Sequence, residues 1–265
     1  MSPEPSTEMI RKILETDRMW SAYALADLDP KFDELCSWMV NQDSLILIYS
    51  GLDPPVLFAI GQPSQLETSF SQVPGGRYTY TLLGFTREIV KHRLENEVEH
   101  PMWRMALKPE EFPGMQSQGV VKLGLTNLEA IQGLLSGMPD QPDSFVPAQL
   151  QMGPFYGLYE GDELVSMAGV HILSHWANVA AIGNVFTRPD WRGRGLATKV
   201  TAAVIENIVS QGIETVVLNV GMDNHPALAC YRKLGFWPYC GYYEGTGTIT
   251  KVRITQNGEL DEQSV

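Results

Sequence analysis

The residues most able to do chemistry lie in one stretch, Asn184–Phe236. Its first part is the run Arg192-Gly193-Arg194-Gly195, which follows an apolar strand pattern and precedes apolar residues at helical spacing from Leu196 onward. The first backbone N–H groups of a helix have no internal partner, and the helix dipole favours negative charge there. Two glycines also allow close approach of a ligand to the backbone. The sequence therefore predicts a strand, a glycine-rich turn and a helix start that bind a pyrophosphate-like anion.

The local charge supports an anion site in this stretch. The chain of 265 residues has 19 Lys and Arg against 31 Asp and Glu, a formal charge of −12. Residues 188–199 instead have a net charge of +3, from four basic side chains and Asp190. The overall acidity argues against a nucleic-acid or membrane partner, because both need summed positive charge. A solvated loop with ordinary surface arginines remains the alternative at this point.

Two other phosphate-binding motifs do not fit the same run. It lacks the Gly-Lys-Ser/Thr ending of a P-loop. It also lacks the third glycine of a dinucleotide-binding fold, because Thr198 occupies that position.

A second motif follows at Asn224-His225-Pro226-Ala227, continuing through Tyr231 to Gly235-Phe236. With Arg192-Gly193-Arg194-Gly195-Leu196-Ala197, it makes the chain resemble the GNAT superfamily of N-acetyltransferases. In that family, Arg/Gln-x-x-Gly-x-Gly/Ala surrounds a pyrophosphate and Asn-x-x-Ala-x-x-x-Tyr-x-x-x-Gly-Phe follows it. The resemblance covers roughly residues 118–255. The first third, including Ala22–Pro30, resembles more weakly the N-terminal half of two-domain, FR47-like members.

The resemblance implies that the chain binds acetyl-CoA as a co-substrate, without a metal, largely through its backbone. The pantetheine arm would lie along Val185, Phe186 and Thr187, and Asn224 would contact it where two strands splay apart. The pyrophosphate would lie against the loop and helix start: Arg192, Gly193, Arg194, Gly195, Leu196, Ala197 and Thr198. The hydroxyl of Tyr231 would lie near the thioester sulfur.

The role implied for Tyr231 is chemically reasonable. Attack of an amine on the thioester expels a thiolate with a pKa near 8.5, and a phenol with a pKa near 10 can donate a proton to it. The alternative is a core tyrosine, since Ala227, Tyr231 and Leu234 share one helical face. Cys230 is expected to be a packing residue.

A general base is harder to identify. The strand before the glycine loop, Ala180–Val185, has no carboxylate, whereas many members of the family place a Glu there. Glu160, Asp223, His171 and His175 are candidate substitutes, but a solvated turn carboxylate or a packed histidine is the favoured interpretation of each. A water relay that touches Asn184 or Asn219 is the other alternative.

The predicted fold is α/β with a mixed sheet. A GNAT fold with splayed central strands is expected at 116–265, and a degenerate GNAT-like α/β domain that shapes the acceptor pocket or a dimer interface at 1–115. Local patterns predict a helix over about 8–28, a second helix beginning at Asp29-Pro30 and continuing to Met39, and a capping box at Thr126–Glu129.

The predicted function is transfer of an acetyl group from acetyl-CoA directly to the amine of an unidentified small molecule or peptide. A non-catalytic CoA-binding module and transfer of a longer acyl group remain alternatives, and a homodimer is open. The acidic chain slightly favours a cationic acceptor. The acceptor pocket is expected from loops near 137–148 and 171–176, which the following residues could line: Met138, Phe145, Met152, Trp176 and Trp191.

A cytoplasmic location is expected for three reasons. No secretory signal pattern begins the sequence, and no apolar run approaches the roughly 20 residues that cross a bilayer. The three cysteines have no metal-type spacing, so we interpret them as reduced structural thiols.

Overall fold

The computed structural model describes residues 5–115, 118–136 and 145–250. Within these ranges the chain forms two compact units. The first contains the described residues up to Asp17, Pro30–Met102 and those from Gly241 onward; the second contains Arg18–Asp29 and the described part of Trp103–Cys240. The sequence analysis predicts two domains that fold on their own and meet between residues 115 and 116, and this boundary stays a prediction.

Helices and strands are numbered in chain order. The α-helices are α1 (Thr7–Leu14), α2 (Ala22–Asp27), α3 (Pro63–Phe70), α4 (Gly84–Val90), α5 (Leu128–Leu135), α6 (Gln149–Met152), α7 (Leu196–Ser210) and α8 (His225–Lys233). The strands are β1 (Cys36–Asn41), β2 (Ser44–Tyr49), β3 (Val56–Ile60), β4 (Gly76–Leu83), β5 (Leu94–Leu107), β6 (Val120–Leu123), β7 (Phe155–Glu160), β8 (Glu163–Ser174), β9 (Val179–Thr187), β10 (Thr215–Gly221) and β11 (Trp237–Ile249).

The first unit is a mixed sheet in the order β1-β2-β3-β4-β11-β5. β3 and β4 are parallel, and the β1–β2, β2–β3 and β4–β11 pairs are antiparallel. Its core contains the fully buried Tyr80, whose hydroxyl donates to Glu99 Oε2 at 2.8 Å. Arg87 in turn donates to the same carboxylate at 2.9 Å, so the buried phenol belongs to a satisfied polar network.

The second unit has the order β11-β5-β10-β9-β8-β7-β6. β9 is parallel to β10 and antiparallel to β8, and α7 packs against β7, β8 and β9. The apolar residues of α7 that face the sheet, Val200, Val204 and Ile208 among them, are fully buried. The predicted mixed α/β fold is therefore confirmed.

The two central strands of this unit, β9 and β10, separate at one end, as expected. The parallel ladder joins Val179–Ile182 to Thr215–Leu218 and ends there. β9 nevertheless continues to Thr187 and β10 continues to Gly221. The two strands thus extend beyond their last paired residues, as the splayed geometry requires.

Three local predictions were wrong. Residues 30–39 are not a helix, because a short 3₁₀ turn at Pro30–Leu35 leads into β1, which pairs with β2 from Cys36↔Tyr49 to Asn41↔Ser44. The helix predicted over 8–28 is two helices joined at Arg18, whose side chain donates to Thr215 Oγ1 at 2.7 Å. In both places, contacts with residues distant in the sequence decide the structure, rather than the helical spacing of the apolar residues.

The capping box at Thr126–Glu129 is the third. The residue that satisfies the backbone before α5 is Asn127, whose Oδ1 accepts the Gly124 N–H at 3.0 Å.

Candidate functional site

The site begins with an open edge of β9 at Val185–Thr187. On one side these residues pair with β8, through Met167↔Phe186 and Ser166↔Thr187. On the other side the ladder with β10 has already ended at Ile182. Apart from the Thr187 carbonyl, which accepts a hydrogen bond from Arg192, this edge can therefore pair with an extended ligand that adds to the sheet as a strand would.

Side chains hold this edge in place. Phe186 is buried at 4% exposure in the core of the unit. The hydroxyls of Thr187 and Ser166 are hydrogen bonded at 2.8 Å, and Ser166 Oγ also donates to the carbonyl of Phe186 at 3.3 Å. Because these side chains are occupied within the protein, contact with a ligand here falls to the backbone.

The glycine loop leads directly into α7. Gly193 and Gly195 have φ values of 77° and 76°. Among the described residues, no atom beyond the adjoining ones lies within 4 Å of where a Cβ would be at either position. No side chain caps the helix, whose first turn closes with a bond from Lys199 N–H to Gly195 C=O at 3.2 Å. The N–H groups of the residues before Lys199 in that turn therefore remain for an anion.

The basic side chains of this segment mostly bind their own loop. Arg188 is paired with Asp190 and Glu163, and Arg192 Nε donates to the carbonyl of Thr187 at 2.9 Å. The guanidinium of Arg194 lies 4.3 Å from the centre of the Trp191 ring. The net charge of +3 includes Asp190 but not Glu163, so it overstates the positive charge of this segment by one. Backbone N–H groups are the main anion-binding feature.

The start of α7 is joined to α8. Thr198 Oγ1 and Cys230 Sγ are 3.2 Å apart, and Cys230 directly precedes Tyr231. Asn224 is exposed and caps α8, because its Oδ1 accepts the Ala227 N–H at 3.2 Å. The cap uses the side-chain oxygen and leaves the amide nitrogen of Asn224 for the predicted contact with a ligand.

Tyr231 is a core residue at one end of this arrangement. It is 7% exposed, and its ring packs edge-to-face on Phe236 with 6.1 Å between centroids. Burial raises the pKa of its phenol above the ordinary value, and the neighbouring Cys230 adds to the shift. The hydroxyl therefore keeps its proton at neutral pH. Its role as an acid stays a prediction.

Asn184 is the most unusual residue of β9. It is only 3% exposed and has a φ of 52°, in the left-handed region that Asn tolerates better than most residues. Its Nδ2 donates to Gln149 Oε1 at 3.1 Å, and that oxygen also accepts the Val146 N–H at 3.1 Å. The Oδ1 of Asn184 is buried and has no hydrogen-bond partner among the described residues.

A second set of polar residues includes His171 on β8. Its Nδ1 lies 3.1 Å from the hydroxyl of Tyr23 on α2, and its ring occupies the space that a side chain at Gly183 would need. Burial, with a smaller effect of the Arg104 charge, lowers the pKa of His171 to about 4, so the ring is neutral at pH 7. Burial also raises the pKa of Asp27 to about 7.

Sequence reasoning missed Gln149, Tyr23 and Asp27. Tyr23 and Asp27 are four apart on α2, a spacing that places them on one helical face, and this was the available signal. Gln149 gave no such signal, since only its contact with Asn184 distinguishes it from an ordinary surface residue.

The other predicted bases and pocket residues are more dispersed. Glu160, Asp223 and His175 are exposed. Phe145 packs on Phe155 at 6.1 Å between centroids, whereas Met152 and Trp176 are 46% and 43% exposed. Met138 lies outside the described residues.

Two classes of feature were not found in the part of the chain that the structure describes. It contains no group of three or more His, Cys, Asp or Glu side chains that could hold a metal ion. None of its helices combines the length and the apolar character that crossing a membrane requires.

Comparison with known proteins agrees with this geometry. Residues 128–236 match the model of the acetyltransferase (GNAT) family. They include the open edge of β9, the glycine loop, α7 and α8. The likeness to the GNAT acetyltransferase family thus covers residues 128–236.

The similar curated proteins include mycothiol acetyltransferases from actinobacteria. That of Corynebacterium aurimucosum is 39% identical over 75 residues, which are 27% of this chain and 25% of that protein. That of Streptomyces bingchenggensis is 35% identical over 86 residues, 30% of this chain and 28% of that protein. The chain therefore matches only about a quarter of the length of these relatives.

Solved structures share the fold over most of the chain. An acetyltransferase of the GNAT family from Novosphingobium aromaticivorans covers 86% of this chain and 96% of its own, with a TM-score of 0.60 and 20% identity. A Drosophila protein covers 93% of this chain and 98% of its own, with a TM-score of 0.69 and 13% identity. At these identities the likeness concerns the fold.

Proposed function

We propose that the protein transfers an acetyl group from acetyl-CoA directly to an amine. One observation carries this proposal: an open strand edge, a glycine loop and an uncapped helix start follow one another within Val185–Thr198. A phosphopantetheine thioester has an extended amide-bearing arm and a pyrophosphate, and these groups suit the edge and the helix start respectively.

The residues fit this donor in detail. The absence of protein atoms around the Cβ positions of Gly193 and Gly195 leaves a cradle that larger side chains would fill. The helix-start N–H groups and the dipole of α7, a helix of 15 residues, supply the attraction for phosphate oxygens. Arg192 and Arg194, both exposed, add positive charge beside the cradle.

The reaction needs no covalent intermediate on the protein. The neutral amine attacks the thioester carbon, the carbon–sulfur bond breaks, and the products are the acetylated amine and CoA. Tyr231 keeps its proton at neutral pH and would donate a hydrogen bond, and finally a proton, to the departing sulfur. The proton lost by the amine passes to water, because Ala180–Val185 offers no carboxylate, and solvent then returns a proton to the Tyr231 phenolate.

The acceptor is proposed only as a small-molecule or peptide amine. The names of the similar curated proteins support acetyl as the transferred group. Their short aligned segments leave the acceptor of this chain to experiment. Cytoplasmic location likewise stays a prediction from the sequence.

A free-thiol assay tests the proposal. Acetyl-CoA is mixed with the protein and a panel of polyamines, amino acids, aminoglycosides and peptides with free N-termini, and a longer acyl-CoA at equal concentration is the comparison donor. We expect CoA release with at least one amine, faster from acetyl-CoA. Release that never exceeds background hydrolysis contradicts the proposal.

A non-catalytic CoA-binding module is the second function to test. The lack of a strand carboxylate and the burial of Tyr231 in the core both favour it. Acetyl-CoA that binds, as measured by calorimetry, but is never consumed would support this alternative.

A further inference from the structure

Asn184 has a buried side-chain amide, and the role inferred for it rests on the proposed function. We propose that Asn184 Oδ1, oriented by Gln149, accepts a hydrogen bond from the attacking nitrogen of the acceptor. Asn184 would thus position the amine at the reacting end of the acetyl-CoA site.

The orientation of the Asn184 amide is set by a short chain of hydrogen bonds. The Val146 N–H can only donate, so the Gln149 atom that faces it at 3.1 Å must be an oxygen. The same oxygen lies 3.1 Å from Asn184, so the Asn184 atom that faces it must be the NH₂ group. The remaining side-chain atom of Asn184 is therefore its carbonyl oxygen.

That oxygen is an unusual group to leave unused. Asn184 is only 3% exposed, and its Oδ1 has no hydrogen-bond partner among the described residues. Buried polar atoms in proteins are nearly always hydrogen bonded, because an unsatisfied one loses its contacts with water and gains nothing in return. The residue also holds a left-handed backbone conformation at φ 52°. A ligand with an N–H donor would satisfy the oxygen.

The position of Asn184 identifies which ligand that is. It directly precedes the Val185–Thr187 edge, so it lies at the end of the donor site opposite the pyrophosphate loop. The thioester there has a sulfur, a carbonyl and a methyl group, none of which can donate a hydrogen bond. The attacking amine carries N–H groups, and it is the reactant that suits an acceptor oxygen.

Such a contact would favour the transition state over the ground state. When the amine nitrogen bonds to the acetyl carbon it becomes positively charged, and its N–H groups become stronger donors. Asn184 remains neutral throughout and takes no proton. It directs the nitrogen lone pair towards the carbon while the carbon–sulfur bond breaks and CoA leaves.

The chain offers a matched control for this residue. Asn178 also has a left-handed backbone, with a φ of 59°, and it stands just before the same strand. Its Oδ1 is already used, because it accepts the Glu214 N–H at 3.0 Å. Glycine accepts the backbone conformation at both positions, so Asn184→Gly and Asn178→Gly differ mainly in which amide is lost.

The experiment measures initial rates with an amine that the free-thiol assay has shown to be acetylated. For Asn184→Gly we expect KM for that amine to rise, or kcat to fall, about tenfold or more, while KM for acetyl-CoA stays within about twofold. Asn178→Gly should change neither constant. Gln149→Leu should weaken the use of the amine as Asn184→Gly does, and Gln149→Glu should restore it, because a carboxylate can still accept both hydrogen bonds.

Three results overturn the inference. Unchanged constants in a folded Asn184→Gly protein would make the residue merely structural. A selective loss of acetyl-CoA affinity would assign the oxygen to the pantetheine amides instead. An inactive wild-type protein would defeat the proposed function itself, and the inference with it. Circular dichroism of each variant establishes that it is folded.

Discussion

At the scale of single residues, the chemistry proposed here depends on one hydroxyl. Tyr231 packs on Phe236, and the hydrogen bond between Thr198 and Cys230 joins its helix to the start of α7. The raised pKa keeps the phenol protonated but makes it a weaker acid than an exposed tyrosine. Its contribution is therefore greatest late in the reaction, when full negative charge has formed on the departing sulfur.

The substitution Tyr231→Phe tests this role. We expect kcat to fall roughly a hundredfold, within the range of general acid catalysis, while KM for acetyl-CoA changes little. Steady-state rates from CoA release measure both constants. The aromatic packing is retained, so stability should change by only about 1 kcal/mol.

The control for this variant is Tyr242→Phe. Tyr242 is 1% exposed and its hydroxyl donates to Glu244 at 3.2 Å, away from the candidate site in sequence and in role. Tyr242→Phe should lose about as much stability as Tyr231→Phe and no activity. Equal rates for Tyr231→Phe and the wild-type protein would show that the hydroxyl takes no part in the reaction.

Single residues also show where sequence reasoning stops. The loop glycines lie in one short motif, and Asn224 and Tyr231 lie in a second. Each motif is contiguous, so it can be recognised without knowing any distance. The pairing of Asn184 with Gln149 spans 35 positions, and nothing local to either residue predicts it. Asn184 was recognisable only as a polar residue within an apolar strand.

At the scale of elements, the proposed binding of acetyl-CoA depends on how α7 begins. The turn at Gly195 has a φ of 76°, which costs a residue with a Cβ about 1 kcal/mol or more. A Cβ there would meet no protein atom but would project into the space proposed for the pyrophosphate. Stability and ligand binding can therefore be separated at this position.

The substitution Gly195→Ala should weaken acetyl-CoA binding about tenfold or more, because the phosphate oxygens could no longer approach the backbone. Gly212→Ala is the matched control, since Gly212 follows the C-terminal end of the same helix with a φ of 79° and equally open surroundings. Both variants should lose similar stability in urea titrations. Isothermal titration calorimetry should find weaker binding in Gly195→Ala alone, and equal affinities would place the phosphates elsewhere.

Elements also explain the outcome of the secondary-structure predictions. Strand and helix patterns in the second unit were correct where a long apolar face is buried, as in α7, β8 and β9. Residues 36–39 were assigned to a helix because their apolar spacing fits one, but pairing of β1 with β2 decides their structure. A pairing partner is information that the local sequence does not contain.

At the scale of the whole molecule, stability should depend on pH through Asp27. Burial raises its pKa from near 3.8 to about 7, so the folded protein holds a proton that the unfolded chain releases. The stabilisation that the Asp27 carboxyl contributes to folding is therefore present in full below about pH 4, and it is lost as the pH rises to about 7. The full shift is worth about 4 kcal/mol, and partial solvent access reduces the expected loss to roughly 1–2 kcal/mol.

The substitution Asp27→Asn removes this titration. We expect the variant to gain stability relative to the wild-type protein steadily between pH 4 and pH 8, as measured by the free energy of unfolding in urea at each pH. Differences that stay constant over this range would mean that the Asp27 carboxyl ionises normally in the folded state.

The molecule also shows which global properties the sequence could predict. The net charge of −12 predicts that any anion site must be local, and the sequence predicts such a site at the start of α7, which stays a prediction. The apparent positive charge of that segment was overestimated, because Glu163, 25 positions before Arg188, pairs with it in the fold. Summing charges along a sequence omits partners that only folding brings close.

The central claim, acetyl transfer from acetyl-CoA to an amine, is tested most directly by following the acetyl group itself. The protein is incubated with acetyl-CoA labelled with carbon-13 in the acetyl group and with the amine panel, and the products are analysed by mass spectrometry. We predict a labelled N-acetyl product that forms roughly a hundredfold more slowly in Tyr231→Phe, and excess acetyl-CoA should not restore the rate. Acetyl-CoA that binds to the wild-type protein while no amine in the panel gains the label would contradict the account.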